Sequence, residues 1–167
     1  KNKNAIILLN KTDLDPVVTE EYLNKKLELY YLLKDSFNHD CEYVVMEISS
    51  QALDQNRVNF LELDYAIFTN LTRDHLDYHQ TIDNYIDAKK KMFYLLKDDG
   101  ISFINNDDEY SDKFKIKNYK TYGFKNSDYT INDDNYINNQ KYNIPLLGHF
   151  NKYNVLAAIS VLFEMGY

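Results

Sequence analysis

Two short apolar runs constrain this chain more than anything else in it. Tyr43–Ile48 and Tyr65–Thr69 have strand length, and each gives way at once to polar residues and then to a helical pattern. The first leads through Glu47, Ser49 and Ser50 into a short helix. The second leads through Asn70 and the run Asp74-His75-Leu76-Asp77-Tyr78-His79 to a helix carrying Lys89. Neighbouring strands that release polar residues at their C-terminal ends build a site in an open α/β sheet. The two runs are therefore expected to be parallel neighbours, with Glu47, Asn70 and His75 gathered beyond their ends.

The rest of the chain extends that pattern. Ala5–Leu9 reads as a strand, Asn10 to Thr19 as a loop around Pro16, and Glu20–Phe37 as a helix. Leu23, Leu27, Tyr30 or Tyr31 and Lys34 mark one stripe of that helix. Ser50–Asn56 and Ile82–Leu96 follow as helices, the second stopped by Asp98-Asp99-Gly100, and Ile101–Ile104 as a strand. Asp107 or Asp108 is placed to cap a short helix through Phe114. After Tyr119, TYGF, DYTIND, NYINNQ and YNIPLL read as short strands with polar turns. A last helix, Phe150–Met165, puts Val155, Ala158, Ile159 and Leu162 on its apolar face. The fold class is α/β: three layers, a mostly parallel sheet flanked by helices, and a small antiparallel β-rich edge near the C-terminal third. A single domain over residues 1–167 fits this length.

Charge and composition exclude some functions. The net charge of −7 argues against a nucleic-acid partner held by bulk electrostatics. The single cysteine, Cys41, rules out an internal disulfide and suits a reducing compartment. The longest apolar runs are too short to span a bilayer. The chain begins at Lys1 without a signal peptide, and is expected to be an excised piece.

Five groups of residues could carry chemistry. Glu47 is either an exposed strand-end acid, an N-cap, or an oxygen ligand for a hard cation such as Mg²⁺. Two His and two Asp within six residues around His75 suggest a metal, with zinc and magnesium both open. Tyr85, Lys89 and Phe93 share a stripe at i, i+4 spacing, so Lys89 points inward unless it lies along the surface on a buried stem. Lys90 and Lys91 read as a solvated face. Ser49, Gln55 and Arg57 could together grip an anionic ligand. Asn151 and Asn154 sit at i, i+3 at the start of the last helix, where N-capping is the plain reading.

In combination, MEISSQAL-x-x-NRV, FTNLTRDHLDYH, Y-x-x-AK-x-x-x-F and LLGHFNKYNVLAA resemble the central domain of Mur ligases, nearest to members that add the third peptide residue. The resemblance is continuous from about Tyr43 to Tyr167. It implies a cytoplasmic, ADP-forming amide ligase of peptidoglycan precursor synthesis, monomeric, using ATP and Mg²⁺ with UDP-MurNAc-dipeptide and an amino acid as substrates. By the same resemblance Glu47 and His75 hold the cation, and Lys89 matches a lysine that becomes carbamylated. Ser49, Gln55, Arg57 and Thr19 match substrate contacts, and Asn151 and Asn70 nucleotide contacts. Three departures stand out, the first being that the family's substrate-binding Thr-Thr-Pro appears only as Val18-Thr19-Glu20. The family's Ser-Ser-His reads Ser49-Ser50-Gln51, and no G-x-x-G-K-[ST] phosphate loop occurs in the sequence. The chain is thus expected to be a partial central domain, without the family's N- and C-terminal domains and inactive alone. A degenerate, non-catalytic binding module and another amide ligase such as a folylpolyglutamate synthetase are the alternatives.

Overall fold

The apolar runs become strands, but with other partners than expected. The computed structural model describes residues 5–8, 20–72 and 75–167. Strand β1 (Ala5–Leu8) pairs in parallel with β2 (Tyr43–Met46), Ala5 opposite Tyr43 and Leu8 opposite Met46. Strands β3 (Leu63–Phe68), β4 (Leu96–Asn105), β5 (Tyr119–Gly123) and β6 (Tyr129–Thr130) form a separate four-stranded sheet in that order. Among the described residues, then, β2 and β3 are not hydrogen-bonded neighbours. A shared strand-then-polar pattern says where each strand ends; it carries no information about which strand pairs with which. The mostly parallel α/β class itself is borne out, since β4, β5 and β6 all run parallel. Among the described residues, antiparallel pairing is seen in the small pair β7 (Tyr136–Ile137) and β8 (Gln140–Lys141) and in the bridge between Ile131 and Ile137.

The chain divides into two compact units. The first holds the described residues up to Ala66 and from His75 to Gly100. Its helices are α1 (Glu20–Asn38), α2 (Ser50–Asp54), α3 (Leu76–His79) and α4 (Ile82–Lys90), the last continued by a 3₁₀ turn over Lys91–Leu95. Helix α2 packs on α4 and on the 3₁₀ turn, and α3 packs on α4. The core here is Ile48, Leu53, Leu63, Ala66, Tyr85, Ile86, Met92 and Phe93. The helix expected to reach Leu96 ends at Lys90, and Asp98-Asp99-Gly100, the expected stop, lie inside β4. Gly100 permits a tight passage: an added Cβ would sit 3.0 Å from the Leu63 carbonyl oxygen and 3.1 Å from the Lys97 nitrogen. Of the stripe expected on α1, Leu27, Tyr30 and Tyr31 are all exposed. Strand β2 likewise leaves Val45 56% exposed, so it is not apolar-covered on both faces.

The second unit comprises residues 67–72 and those from Ile101 onward. Its centre is aromatic. Phe68 stacks on Phe114 at 3.9 Å, and the buried Tyr122 hydroxyl donates to the Phe68 carbonyl at 3.0 Å. A 3₁₀ turn (Ser111–Lys113) replaces the short helix expected there, and Asp108 accepts from the Tyr110 and Leu71 backbone N–H groups. Strand β6 returns parallel to β5 after a short loop because Asp128 is tied to Thr121. Its carboxylate accepts the Thr121 N–H and O–H, each at 2.7 Å, and its own N–H donates to the Thr121 hydroxyl. Tyr142 to Leu147 forms no strand; Pro145 in that segment has no N–H to offer a ladder.

Helix α5 (His149–Met165) packs on β5 and β6 with a different face from the one expected. Leu156, Ala157, Ser160 and Val161 are buried, whereas Ala158 is exposed and Leu162 is 41% exposed. Ser160 can lie inside because its hydroxyl donates to the Leu156 carbonyl at 2.7 Å. Among the described residues no helix is long and apolar enough to cross a membrane.

Candidate functional site

The i, i+4 stripe of α4 points where its spacing says it should. Tyr85, Lys89 and Phe93 are all buried, Lys89 to 5% exposure. An ammonium taken out of water needs compensation. Part of it comes from the Tyr85 ring, whose centroid lies 5.0 Å from Lys89 Nζ. The same ring is stacked by His79 at 4.9 Å and met edge-on by His75 at 5.9 Å. Tyr85 thus collects His75, His79 and Lys89 around one ring.

His75 is held in an unusual backbone. Its φ of 61° and ψ of 19° lie in the left-handed region, which His visits more readily than most side chains. The residue opens α3, a single turn that sequence periodicity did not reveal, and Gln80 at φ 66° closes it. Four residues are too few to carry a period. The His75 Nδ1 lies 3.5 Å from Gln51 Nε2, and its Nε2 is buried. His79, the other imidazole of the motif, is buried and bonded through Nε2 to the Ser50 hydroxyl at 2.8 Å. Burial pushes the His79 pKa below its ordinary value, with the nearby His75 and Lys89 adding to this and Asp54 opposing it. His79 is therefore neutral near neutral pH.

Of the residues expected to meet substrate, Gln55 and Arg57 lie near Tyr78. Ser49 caps α2, its hydroxyl accepting from the Ala52 N–H at 3.2 Å, so the cap is Ser49 and not Glu47. Gln55 ends α2, and its side-chain amide donates to the Tyr78 hydroxyl at 3.4 Å. The Tyr78 hydroxyl in turn donates to Asp54 at 3.0 Å. Burial and the Asp54 carboxylate raise the Tyr78 pKa, while Gln55 and Arg57 pull the other way. Lys91 is not part of a solvated face as expected: its ammonium bonds Asp54 at 2.7 Å and holds that carboxyl below its usual range. Beside this cluster lies a polar cavity of about 490 Å³ with Asp54, Tyr78, Asp87 and Lys91 in its wall.

Glu47 is exposed, one residue beyond β2, which is the strand-end acid of the sequence reading. Among the described residues no three His, Cys, Asp or Glu side chains converge as metal ligands. Asp74 of the His-and-Asp motif lies outside the described residues. Asn70 and Asn151 belong to the second unit. Asn70 is exposed just past β3. Asn151 does not cap α5; its amide reaches back to the Leu147 carbonyl at 2.7 Å, and Asn154 donates to its oxygen. Thr19 lies outside the described residues.

The family model described as Mur ligase middle domain matches residues 1–162. The UDP-N-acetylmuramoyl-L-alanyl-D-glutamate--2,6-diaminopimelate ligase of Fusobacterium nucleatum is 44% identical over 156 residues, which is 85% of this chain and 32% of that protein. A solved structure of a ligase with the same name matches 84% of this chain and 33% of that one, at 31% identity and a TM-score of 0.73. The fold also matches a MurF ligase from Thermotoga maritima in complex with ADP, with a TM-score of 0.69 and 17% identity over 98% of this chain and 46% of that one. The chain spans about a third of the length of the curated relatives it matches.

Proposed function

Because the chain belongs to the Mur ligase family, matched through its middle domain, we propose that it forms part of the central domain of an ATP-dependent, ADP-forming amide ligase of peptidoglycan precursor synthesis. The substrates would be UDP-MurNAc-L-Ala-D-Glu and 2,6-diaminopimelate, after the names of its relatives. A cytoplasmic, monomeric enzyme is part of the same proposal. In this chemistry the γ-phosphoryl group of ATP passes to a carboxylate oxygen of the dipeptide, leaving ADP. The incoming amine then attacks the carbonyl carbon of the acyl phosphate, and phosphate leaves as the amide forms. Little covalent work falls to the protein; it positions the reactants and offsets their charge.

The burial of Lys89 against the Tyr85 ring, which His75 also meets, is the observation that carries the site reading. Carbon dioxide reacts with a neutral amine, and desolvation favours that form. The neutral Nζ would attack the carbon of CO₂ and lose a proton, leaving an N-linked carboxylate at the end of the side chain. That group adds oxygen ligands where Glu47 and His75 alone are few. Mg²⁺ suits such a set, because it takes one or two protein carboxylates and fills its other positions with water and phosphate oxygens. When bound, it would neutralise charge on the phosphates. Gln55 and Arg57, gathered at Tyr78, would receive the anionic peptide, and Asn70 and Asn151 the nucleotide. Ser49 keeps its capping bond and offers its remaining acceptor and donor capacity.

Bicarbonate-dependent ¹³C NMR on the longer ligase tests this. A carbamate resonance should appear and should be absent in Lys89→Ala. A resonance that survives the substitution, or none at any bicarbonate level in an active enzyme, would leave Lys89 a structural lysine.

A further inference from the structure

Four side chains form one chain of hydrogen bonds through the core of the first unit. His75 Nδ1 lies 3.5 Å from Gln51 Nε2, the Ser50 hydroxyl lies 3.3 Å from Gln51 Oε1, and His79 Nε2 lies 2.8 Å from the Ser50 hydroxyl. Ser50, Gln51 and His79 are each at least 96% buried, so water does not compete for these groups. The directions of the bonds are linked. With the Gln51 amide nitrogen on His75, Nδ1 must accept, and a neutral His75 carries its proton on Nε2. Ser50 then donates to the Gln51 oxygen, and His79 must donate from Nε2 to Ser50. The amide oxygen and nitrogen are isosteric, so Gln51 can also turn over in place. His75 then donates from Nδ1 to the Gln51 oxygen, Gln51 donates to Ser50, and Ser50 donates to an unprotonated His79 Nε2. All three bonds of the chain reverse together, and each still joins a donor to an acceptor.

Only the second arrangement suits a cation. With Nδ1 turned to Gln51, a cation's bond falls to Nε2, which must then present its lone pair. Metal-ligating imidazoles generally donate their other N–H to a neighbour that fixes the tautomer. We propose that Gln51 is a positioning residue that sets the tautomer of His75 and, through Ser50, ties it to the tautomer of His79. This rests on the reading of His75 as a ligand. It goes beyond that reading in assigning work to Gln51, Ser50 and His79. It also gives a physical role to the position where this sequence has Gln in place of the His of the family pattern. Like a neutral imidazole, the amide presents one donor atom and one acceptor atom.

The test is long-range ¹H–¹⁵N NMR of the histidine rings of this chain at about pH 8, where imidazoles are neutral. Without metal, wild-type His75 and His79 should both carry the proton on Nε2. Gln51→Glu offers only acceptors, and should move the His75 proton to Nδ1 while leaving His79 unchanged. Adding Mg²⁺ to the wild type should switch both rings to the Nδ1-protonated form. In Gln51→Met, which keeps the packing but has no amide, His79 should no longer follow, and Mg²⁺ should bind about 10-fold more weakly. A His75 that stays Nε2-protonated in Gln51→Glu overturns the proposal, as does a wild-type His79 that ignores Mg²⁺ while His75 responds. If Mg²⁺ moves neither ring, the metal reading of His75 fails, and the Gln51→Glu spectrum alone decides whether Gln51 sets the tautomer.

Discussion

At the scale of single residues, burial of an ionisable ring has a measurable consequence in His79. Its folded-state pKa is lowered, chiefly by desolvation. Between that lowered value and the ordinary value near 6.5 the unfolded chain binds the extra proton, so stability falls as pH falls. Unfolding free energy should be level in this respect above about pH 6.5. It should then decline by up to about 1.4 kcal/mol per pH unit below it. His79→Gln should flatten that decline in denaturant titrations, and an unchanged slope would show that the ring does not resist protonation. Ser49 makes a simpler case. Ser49→Ala removes the α2 cap and should cost about 1 kcal/mol in the same experiment. The inward direction of Lys89 was legible in the sequence, because Tyr85 and Phe93 flank it at helical spacing. The bonds of Gln51 to His75 and of Ser50 to His79 were not, since they join residues 24 and 29 positions apart. Only tertiary placement brings such residues together.

Among elements, α5 shows how a period can be read correctly as helical and still be assigned to the wrong face. From Val155 to Phe163 its sequence is apolar nearly all round, so Val155, Ala158, Ile159 and Leu162 make as good a stripe as the one the sheet covers. Contact with β5 and β6 decides between them. Leu156→Ala should cost about 2–5 kcal/mol. Leu162→Ala should cost under about 1 kcal/mol. Equal losses in urea unfolding would return the buried face to the sequence assignment. Strand existence was similarly legible and strand pairing was not, because a local run of apolar residues fixes neither partner nor register. The sheet also depends on a side chain that no pattern marks. Tyr122→Phe would strand the Phe68 carbonyl, 3.0 Å from the lost hydroxyl in a fully buried setting, at a cost of about 1–3 kcal/mol. A thermal midpoint equal to that of the wild type would show that this bond adds nothing.

For the whole molecule, family membership and chemistry separate. The four motifs and the match over residues 1–162 place the chain among Mur ligases, yet it spans about a third of its relatives and contains no G-x-x-G-K-[ST]. In a phosphate loop, backbone N–H groups and a lysine would cradle the β- and γ-phosphates. The 167-residue chain by itself is accordingly expected not to turn over ATP. The most direct measurement is ADP release by the longer ligase, supplied with UDP-MurNAc-L-Ala-D-Glu and 2,6-diaminopimelate, in the wild type and in Glu47→Ala and Lys89→Ala. Release should require both substrates, and each substitution should reduce it by about a hundredfold or more. Undiminished release in both variants, or release indifferent to the two substrates, would contradict a ligase site built on Glu47 and Lys89.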